Sequence, residues 1–317
     1  MQIIRGLHNL KTQFASGCVA TIGNYDGVHL GHQKIIEIVK EKSAELKLPA
    51  VVVIFEPQPE EFFTGDRSMR LTSLHEKKFL LEKHGINRIL VLPFNLRFAD
   101  ITASRFITEI LLDSLHVSHL VVGDDFVFGY KREGNFSLLK QASITGNFQV
   151  TEVAAFKIDG VRVSSSLIRS ALWQGNLDSA AKFLGRPYSI CGRVVPGDHI
   201  GHKIGFPTAN IHLKRRELPL MGIYAVKVYN LAQTPLFGLA NIGFRPTILS
   251  KKKLLEVYIL DFDANIYGKR IMLEFCKKIR DEKKFNSLAE LKAQIEDDVT
   301  LARKNRLEIY ETKQNGR

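Results

Sequence analysis

Between residues 18 and 122 the chain alternates short β-branched runs with longer segments whose apolar residues recur at helical spacing. Residues 18–22, 50–55, 88–92 and 119–122 read as strands, and 33–46, 72–84 and 102–115 as helices. In 33–46, for instance, Ile35, Ile36, Ile38 and Val39 stand between charges. Strands that are apolar throughout bury both faces, and parallel strands need helical crossovers. This half is therefore constrained to an α/β fold, a parallel sheet with helices on both faces. Ligands of such sheets bind beyond the carboxyl ends of the strands.

The rhythm changes after Leu184, where Gly185-Arg186-Pro187 punctuates the chain. Short strand-like runs follow at 188–195, 222–229, 236–242, 255–260 and 270–279, separated by Gly, Pro and Asn. That pattern predicts a small antiparallel barrel. Residues 287–303 form a last helix, with Ser287 as N-cap and Glu290 three residues on. With 317 residues the chain suits two domains.

The net charge of +12 favours anionic partners: nucleic acid, a membrane surface or phosphorylated small molecules. The lysine runs at 251–253, 277–278 and 283–284 are short and lie beside apolar segments, so a nucleic-acid surface is not the expectation. Cys18, Cys191 and Cys276 are far apart and form no CxxC pair, and each reads as a small buried hydrophobe. Neither a signal peptide nor an eighteen-residue apolar span is visible, so a soluble cytoplasmic protein is expected.

Residues 21–33, TIGNYDGVHLGHQ, join the first strand to the first helix. Gly23, Gly27 and Gly31 permit tight turns and close backbone approach, and the following helix start can receive a phosphate. His29 and His32 share a face if the turn is helical, and could donate to phosphate oxygens or simply cap and pack locally. Consecutive hydroxyls at Ser164, Ser165 and Ser166, with Arg169 one turn on, make either a donor cluster or a helix cap. Asp124 and Asp125 could orient a polar ligand, help hold magnesium or cap a turn. In the second half, residues 201–210 read GHKIGFPTAN, where Thr208 and Asn210 would share a face of an extended segment. Glu256 by spacing alone is an edge-strand charge.

These segments resemble the bacterial bifunctional riboflavin kinase/FAD synthetase family along residues 1–308. HLGH is similar to the histidine motif of the wider nucleotidyltransferase superfamily, and SSSLIR to the family's serine-rich motif. FEPQP at 55–59, LPFN at 92–95 and VGDDFVFG at 122–129 follow successive strands in the family's order. GHKIGFPTAN, ANIGFRPT at 240–247 and LEVY at 255–258 are similar to the kinase blocks.

The resemblance implies a Rossmann-like nucleotidyltransferase domain over 1–184, a riboflavin kinase barrel with its C-terminal helix over 185–310, and a polar tail at 311–317. It implies phosphorylation of riboflavin by ATP, then transfer of AMP to FMN with release of pyrophosphate. It casts His29, His32 and Glu256 as catalytic. Nucleotide and phosphate binding falls to Gly23, Asn24, Asp26, Gly31, Ser164, Ser165, Ser166 and Arg169, and in the barrel to Gly201, Lys203, Gly205, Pro207, Thr208 and Asn210. Flavin binding falls to Phe55, Pro57, Asn95, Asp125 and Phe128, and to Asn241, Arg245 and Thr247. Magnesium is assigned to Thr208 and Asn210. ATP, riboflavin and FMN are the implied small-molecule partners, without nucleic acid or membrane, in a monomer or weak homo-oligomer. Tyr25, Lys203, Ser166 and Tyr258 depart from the common pattern; Tyr258 stands where histidine is usual, beside Glu256. A nucleotidyltransferase for another phosphorylated metabolite would explain HLGH but not GFPTAN. An RNA-binding module has charge alone to support it.

Overall fold

The computed structural model describes the chain apart from residues 11–12, 66–68, 198–200, 202–203, 214, 216, 247–250 and 315–317, and describes no side chains at 244–246, 251–253 and 305–314. Its contacts divide it into two compact units, Met1–Ser68 with Leu74–Ser165 and Met69–Ser73 with Ser166–Arg317.

In the first unit β1 (Gln2–Arg5), β2 (Cys18–Ile22), β3 (Ala50–Glu56), β4 (Arg88–Pro93), β5 (Val117–Gly123) and β6 (Gln149–Val153) form one sheet in the order β1-β4-β3-β2-β5-β6. Every pairing is parallel. Helix α1 (Leu30–Leu46) follows β2; α2 (Pro59–Thr64) and α3 (Leu74–Lys83) follow β3. After β4 come the short α4 (Leu96–Ala99) and α5 (Ala103–Arg105), and after β5 comes α6 (Phe136–Gly146). A two-stranded hairpin, β7 (Lys157–Ile158) and β8 (Val161–Arg162), comes last.

Strand alternation feeds two cores. Val19, Val52, Ile54, Ile89, Val91 and Val121 pack with Ile36 and Val39 of α1 and Leu80 and Leu81 of α3. Cys18, Ala20, Ile22, Val51, Val53, Leu90, Leu92, Leu120 and Val122 pack with Phe106, Ile110, Leu111 and Leu139. Apolar residues in both phases are what a sheet covered on both faces requires. The strand order reverses at β2, so the ends of β2 and its neighbours β3 and β5 make the switch point where such folds take ligands.

Three features differ from the sequence reading. Residues 102–115 are not one α-helix: Phe106–Ser114 is π-helical, with the Leu115 N–H reaching the Ile110 carbonyl at 3.1 Å. Strands β1 and β6 and helix α6 have no counterpart in that reading. Among the free cysteines Cys18 is buried, but Cys191 and Cys276 are only half-buried.

The main part of the second unit begins within α7 (Ser165–Trp173) and continues through α8 (Leu177–Leu184). Strands β9 (Ser189–Val195), β10 (Thr208–His212), β11 (Gly222–Tyr229), β12 (Leu236–Pro246), β13 (Lys251–Ile259) and β14 (Arg270–Arg280) then close an antiparallel barrel, ordered β10-β13-β12-β11-β14-β9. Helix α9 (Leu288–Gln314) follows, with Ser287 Oγ accepting the Glu290 N–H at 3.2 Å, as a cap should. Ile190, Ile211, Val226, Ala240, Leu255, Val257 and Leu273 fill the barrel. Residues of the opposite phase face outward, where Ile223 and Leu239 pack with Ala302 of α9.

A short strap completes this core. Met69–Ser73, which lies between α2 and α3 in sequence, belongs to the second unit. Leu71 is fully buried there. Its carbonyl accepts from the Tyr188 hydroxyl at 3.2 Å and from the buried Arg215, which also donates to the Arg70 carbonyl at 3.2 Å. Among the described residues no helix is long and apolar enough to cross a membrane.

Candidate active sites

The turn from β2 to α1 is tightly wound. Tyr25, Gly27 and Val28 all have positive φ, at 48°, 82° and 43°. For Val28, β-branched, that conformation is costly and persists only because its surroundings impose it. Its side chain is fully buried and its carbonyl accepts from Gln33 Nε2 at 2.9 Å. The result sets His29 at the N-cap of α1, where Nδ1 accepts the His32 N–H at 3.3 Å. The two imidazoles stack with centroids 3.6 Å apart and planes 18° from parallel. A Cβ on Gly31 would stand 3.2 Å from the His29 ring and 3.6 Å from the Val163 carbonyl, so a larger residue there would press on the ring.

His32 Nδ1 is buried without a partner. Burial first, then the positive fields of His29 and Lys77, hold the His32 pKa well below its ordinary value of 6.5. The Lys77 ammonium donates to the Asn24 carbonyl, and the Ser165 hydroxyl to the Asp26 carbonyl at 2.9 Å. Gly23 lies against the Tyr25 ring, and Asp26 is buried. Ser164 is half-buried and Ser166 exposed, with Arg169 Nη2 donating to Ser166 Oγ at 3.1 Å.

Beyond the ends of β3, β4 and β5 lies a run of rings. Phe94 contacts Phe55, Phe62, Phe63 and Phe98 at centroid distances of 5.7, 5.4, 5.7 and 5.6 Å. The run continues through Phe98–Phe106, Phe106–Phe128 and Phe126–Phe128. Of these the sequence reading singled out Phe55 and Phe128. Phe94 and Phe126 stand in the segments that carry the resemblance, with Phe98 close behind, but received no role of their own; Phe62 and Phe63 were not singled out, and the concentration of rings behind successive strand ends was the available signal. Pro57 follows a cis peptide bond in the same region. Asn95 caps α4 by accepting the Phe98 N–H at 3.0 Å. Asp125 pairs with Arg162 at 2.8 Å, and so does Asp124, which also accepts the Ala155 N–H at 3.0 Å. Arg162 was not anticipated.

The second unit has a cavity of about 390 Å³ on the outer barrel wall beneath α9. Register explains its polar patch. Asn210 on β10 stands opposite Glu256 on β13, which stands opposite Asn241 on β12. All three line the cavity, with Thr208, Tyr258 and Gly201. Asn241 Oδ1 is buried there with no partner, a group awaiting a donor. A Cβ on Gly201 would collide with the Phe206 carbonyl and sit 3.1 Å from Thr208 Oγ1. Gly205, at φ 88°, and the exposed Pro207 shape the same loop. Phe206 meets Tyr258 edge to face at 5.4 Å. Arg280, Glu282, Phe285 and Asp298 also line the cavity; their sequence context reads as a solvated charged stretch. Lys203, Thr247 and the Arg245 side chain lie outside the described residues.

Relatives match this two-part layout. A FAD synthetase family model covers residues 11–167 and a riboflavin kinase model residues 184–306. The chain is 47% identical over 304 residues to the bifunctional riboflavin kinase/FMN adenylyltransferase of Escherichia coli K12, covering 96% of this chain and 97% of that one. The chain belongs to the bifunctional riboflavin kinase/FMN adenylyltransferase family. The family member of Haemophilus influenzae is also 47% identical over 304 residues, spanning 96% of this chain and 98% of its own. That of Buchnera aphidicola from Acyrthosiphon pisum is 41% identical over 307 residues, at 96% and 98% coverage. A crystal structure described as a macrolide-efflux protein from Streptococcus pneumoniae superposes with a TM-score of 0.80 at 28% identity, covering 96% of this chain and 99% of that chain. Within this family member, the stacked histidines and the phenylalanine run fall in the FAD synthetase part, and the Asn210–Glu256–Asn241 row in the riboflavin kinase part.

Proposed function

We propose that the chain carries out its two reactions at the two sites just described, with the FMN adenylyltransferase domain spanning 1–184 and the riboflavin kinase domain 185–310. As a member of its family the chain phosphorylates riboflavin with ATP and transfers AMP from ATP to FMN. ATP, magnesium, riboflavin and FMN are the participants that membership implies. The single observation behind the placement of phosphoryl transfer is the Asn210–Glu256–Asn241 row, three adjacent strands presenting one carboxylate between two amides to a cavity.

At that row Glu256 takes the proton of the ribityl 5′-hydroxyl as it attacks the γ-phosphorus. Thr208 and Asn210 would hold magnesium, which supplies charge neutralisation across the ATP phosphates. The donor set fits: neutral oxygens suit a hard cation that leaves much of its shell to phosphate and water, and among the described residues no cluster of three acidic, histidine or cysteine groups competes for a metal. Gly201, Gly205 and Pro207 shape the nucleotide loop, and family membership implies that Lys203 also binds the nucleotide. Asn241 takes the flavin, and family membership implies the same role for Arg245 and Thr247.

In the first unit FMN is itself the nucleophile and is anionic at neutral pH, so alignment and charge screening are the main requirements. His29 and His32 hold ATP phosphates at the α1 N-terminus, with Gly23, Asn24, Asp26 and Gly31 shaping the turn. Ser164 and Ser165 are further phosphate donors there, and family membership implies the same role for Ser166 and Arg169, which fall in the second unit. Phe55, Pro57, Asn95, Asp125 and Phe128 take the flavin, joined by Phe62, Phe94 and Phe98. A cytoplasmic monomer or weak homo-oligomer without nucleic-acid partners completes the reading. The test is incubation with riboflavin, ATP and magnesium, then separation of the flavins. FMN and FAD should both form, and His29→Ala/His32→Ala should stop at FMN; undiminished FAD from that variant overturns the assignment.

A further inference from the structure

Asp298 sits on α9 with its side chain 5% exposed. Oδ1 accepts from Arg280 Nε at 2.9 Å and Oδ2 from Arg280 Nη2 at 2.8 Å, a two-pronged grip. Gln294, one turn earlier, donates to Oδ1 at 3.2 Å. Arg280 Nη1 donates to the Asp281 carbonyl at 3.0 Å, and its guanidinium carbon lies 5.7 Å from the Phe285 ring centre. Arg280, Phe285 and Asp298 all line the cavity that holds Glu256.

An enclosed ion pair adds little stability over an apolar pair of similar volume. Here Ala302 and Val299 already fasten α9 to Ile223, Leu239 and Ile279 through an apolar seam. Fastening the helix therefore does not account for the pair. Its geometry does: the carboxylate fixes the plane and rotamer of a guanidinium at the cavity wall. Strand β14, which carries Arg280, is three places from β13, which carries Glu256, whichever way round the barrel one counts. At ~4.8 Å per strand their backbones stand roughly 14 Å apart along the wall, a gap that the two long side chains shorten. Riboflavin has that shape, with its reactive hydroxyl at the end of a ribityl chain and carbonyl oxygens at the far edge of a flat ring.

We propose that Asp298 is a positioning residue for riboflavin phosphorylation, holding Arg280 as a fixed donor edge against which the isoalloxazine ring docks. This rests on the reading of the cavity as the kinase site. Asp298→Asn in the full chain should raise the KM for riboflavin about tenfold, leaving kcat within about threefold and adenylylation of supplied FMN unchanged. A KM within twofold of the parent overturns the proposal, as does a fall in kcat with KM unmoved. If Asp298→Asn does not fold, Asp298→Glu keeps the charge but shifts it by one methylene, and the same KM criteria decide. Failure of the site reading looks different: Glu256→Gln would then retain kinase turnover whatever Asp298 does.

Discussion

The imidazole rings of His29 and His32 lie face to face, 3.6 Å between centroids. Two positive charges at that separation would repel by about 4–5 kcal/mol at an effective dielectric near 20. The pair is therefore poorly disposed to carry two protons by itself, in line with the lowered pKa of His32. A polyphosphate reverses the balance by making the protonated form favourable. ATP binding near pH 6.5 should thus take up protons, seen as binding enthalpies that differ between buffers of different ionisation heat. His32→Gln should reduce that uptake; buffer-independent enthalpies in the parent would contradict the account.

The same shift has a consequence for folding. Because the folded-state pKa of His32 is depressed, the unfolded chain binds the proton more readily between that pKa and 6.5. Its contribution is intact above 6.5 and is lost as pH falls below that value towards the folded pKa. His119, also depressed, chiefly by burial, acts in the same sense. Melting of the first unit should shift downward between pH 7 and 5, and His32→Gln should flatten the slope.

Glu256 belongs to the barrel alone. Glu256→Gln should slow riboflavin phosphorylation by about 10²–10⁴ and leave FMN adenylylation intact. Parallel loss of both activities in a folded protein would disconnect this residue from the kinase step.

Phe94 is the hub of the ring cluster in the first unit. Phe94→Ala should raise the KM for FMN about tenfold through lost ring contact, without altering riboflavin phosphorylation. Equal effects on both substrates would show a global disturbance instead.

Leu71 is fully buried in the core of the second unit. Leu71→Ala should cost about 2–5 kcal/mol and lower the melting of the barrel, with kinase activity lost on warming before adenylylation is. Coincident loss of both would argue against separate units.

What could be read from the sequence was whatever repeats or alternates. The β-branched runs of β2 to β5 declared a parallel sheet because burial on two faces leaves no polar phase. The phases of β11 and β12 declared a barrel wall. HLGH was legible through its likeness to the nucleotidyltransferase histidine motif, since the three-residue spacing alone left capping and local packing equally open. The Asn210–Glu256–Asn241 row was not, since strand register is a property of pairing rather than of any one segment. Asp298 was hidden beside Asp297 in an acidic helix, where only packing tells an enclosed carboxylate from a solvated one. Arg162 and Arg280 were hidden for the same reason. The strap at Met69–Ser73 carries no local signal at all, because what makes Leu71 a core residue is a barrel encoded more than a hundred positions later.

That strap changes what it means to cut this protein in two. The chain passes between its compact units at 68/69, again at 73/74 and again at 165/166. A protease severing only the last of these would break the covalent link, yet residues 69–73 of the first fragment would still be packed in the core of the second, so the pieces should stay together until that core melts. A fragment begun at Gly185 would be a different object from the barrel in the whole enzyme, missing Leu71, Ile168, Leu172 and Leu184 from its interior and leaving Arg215 to find new acceptors.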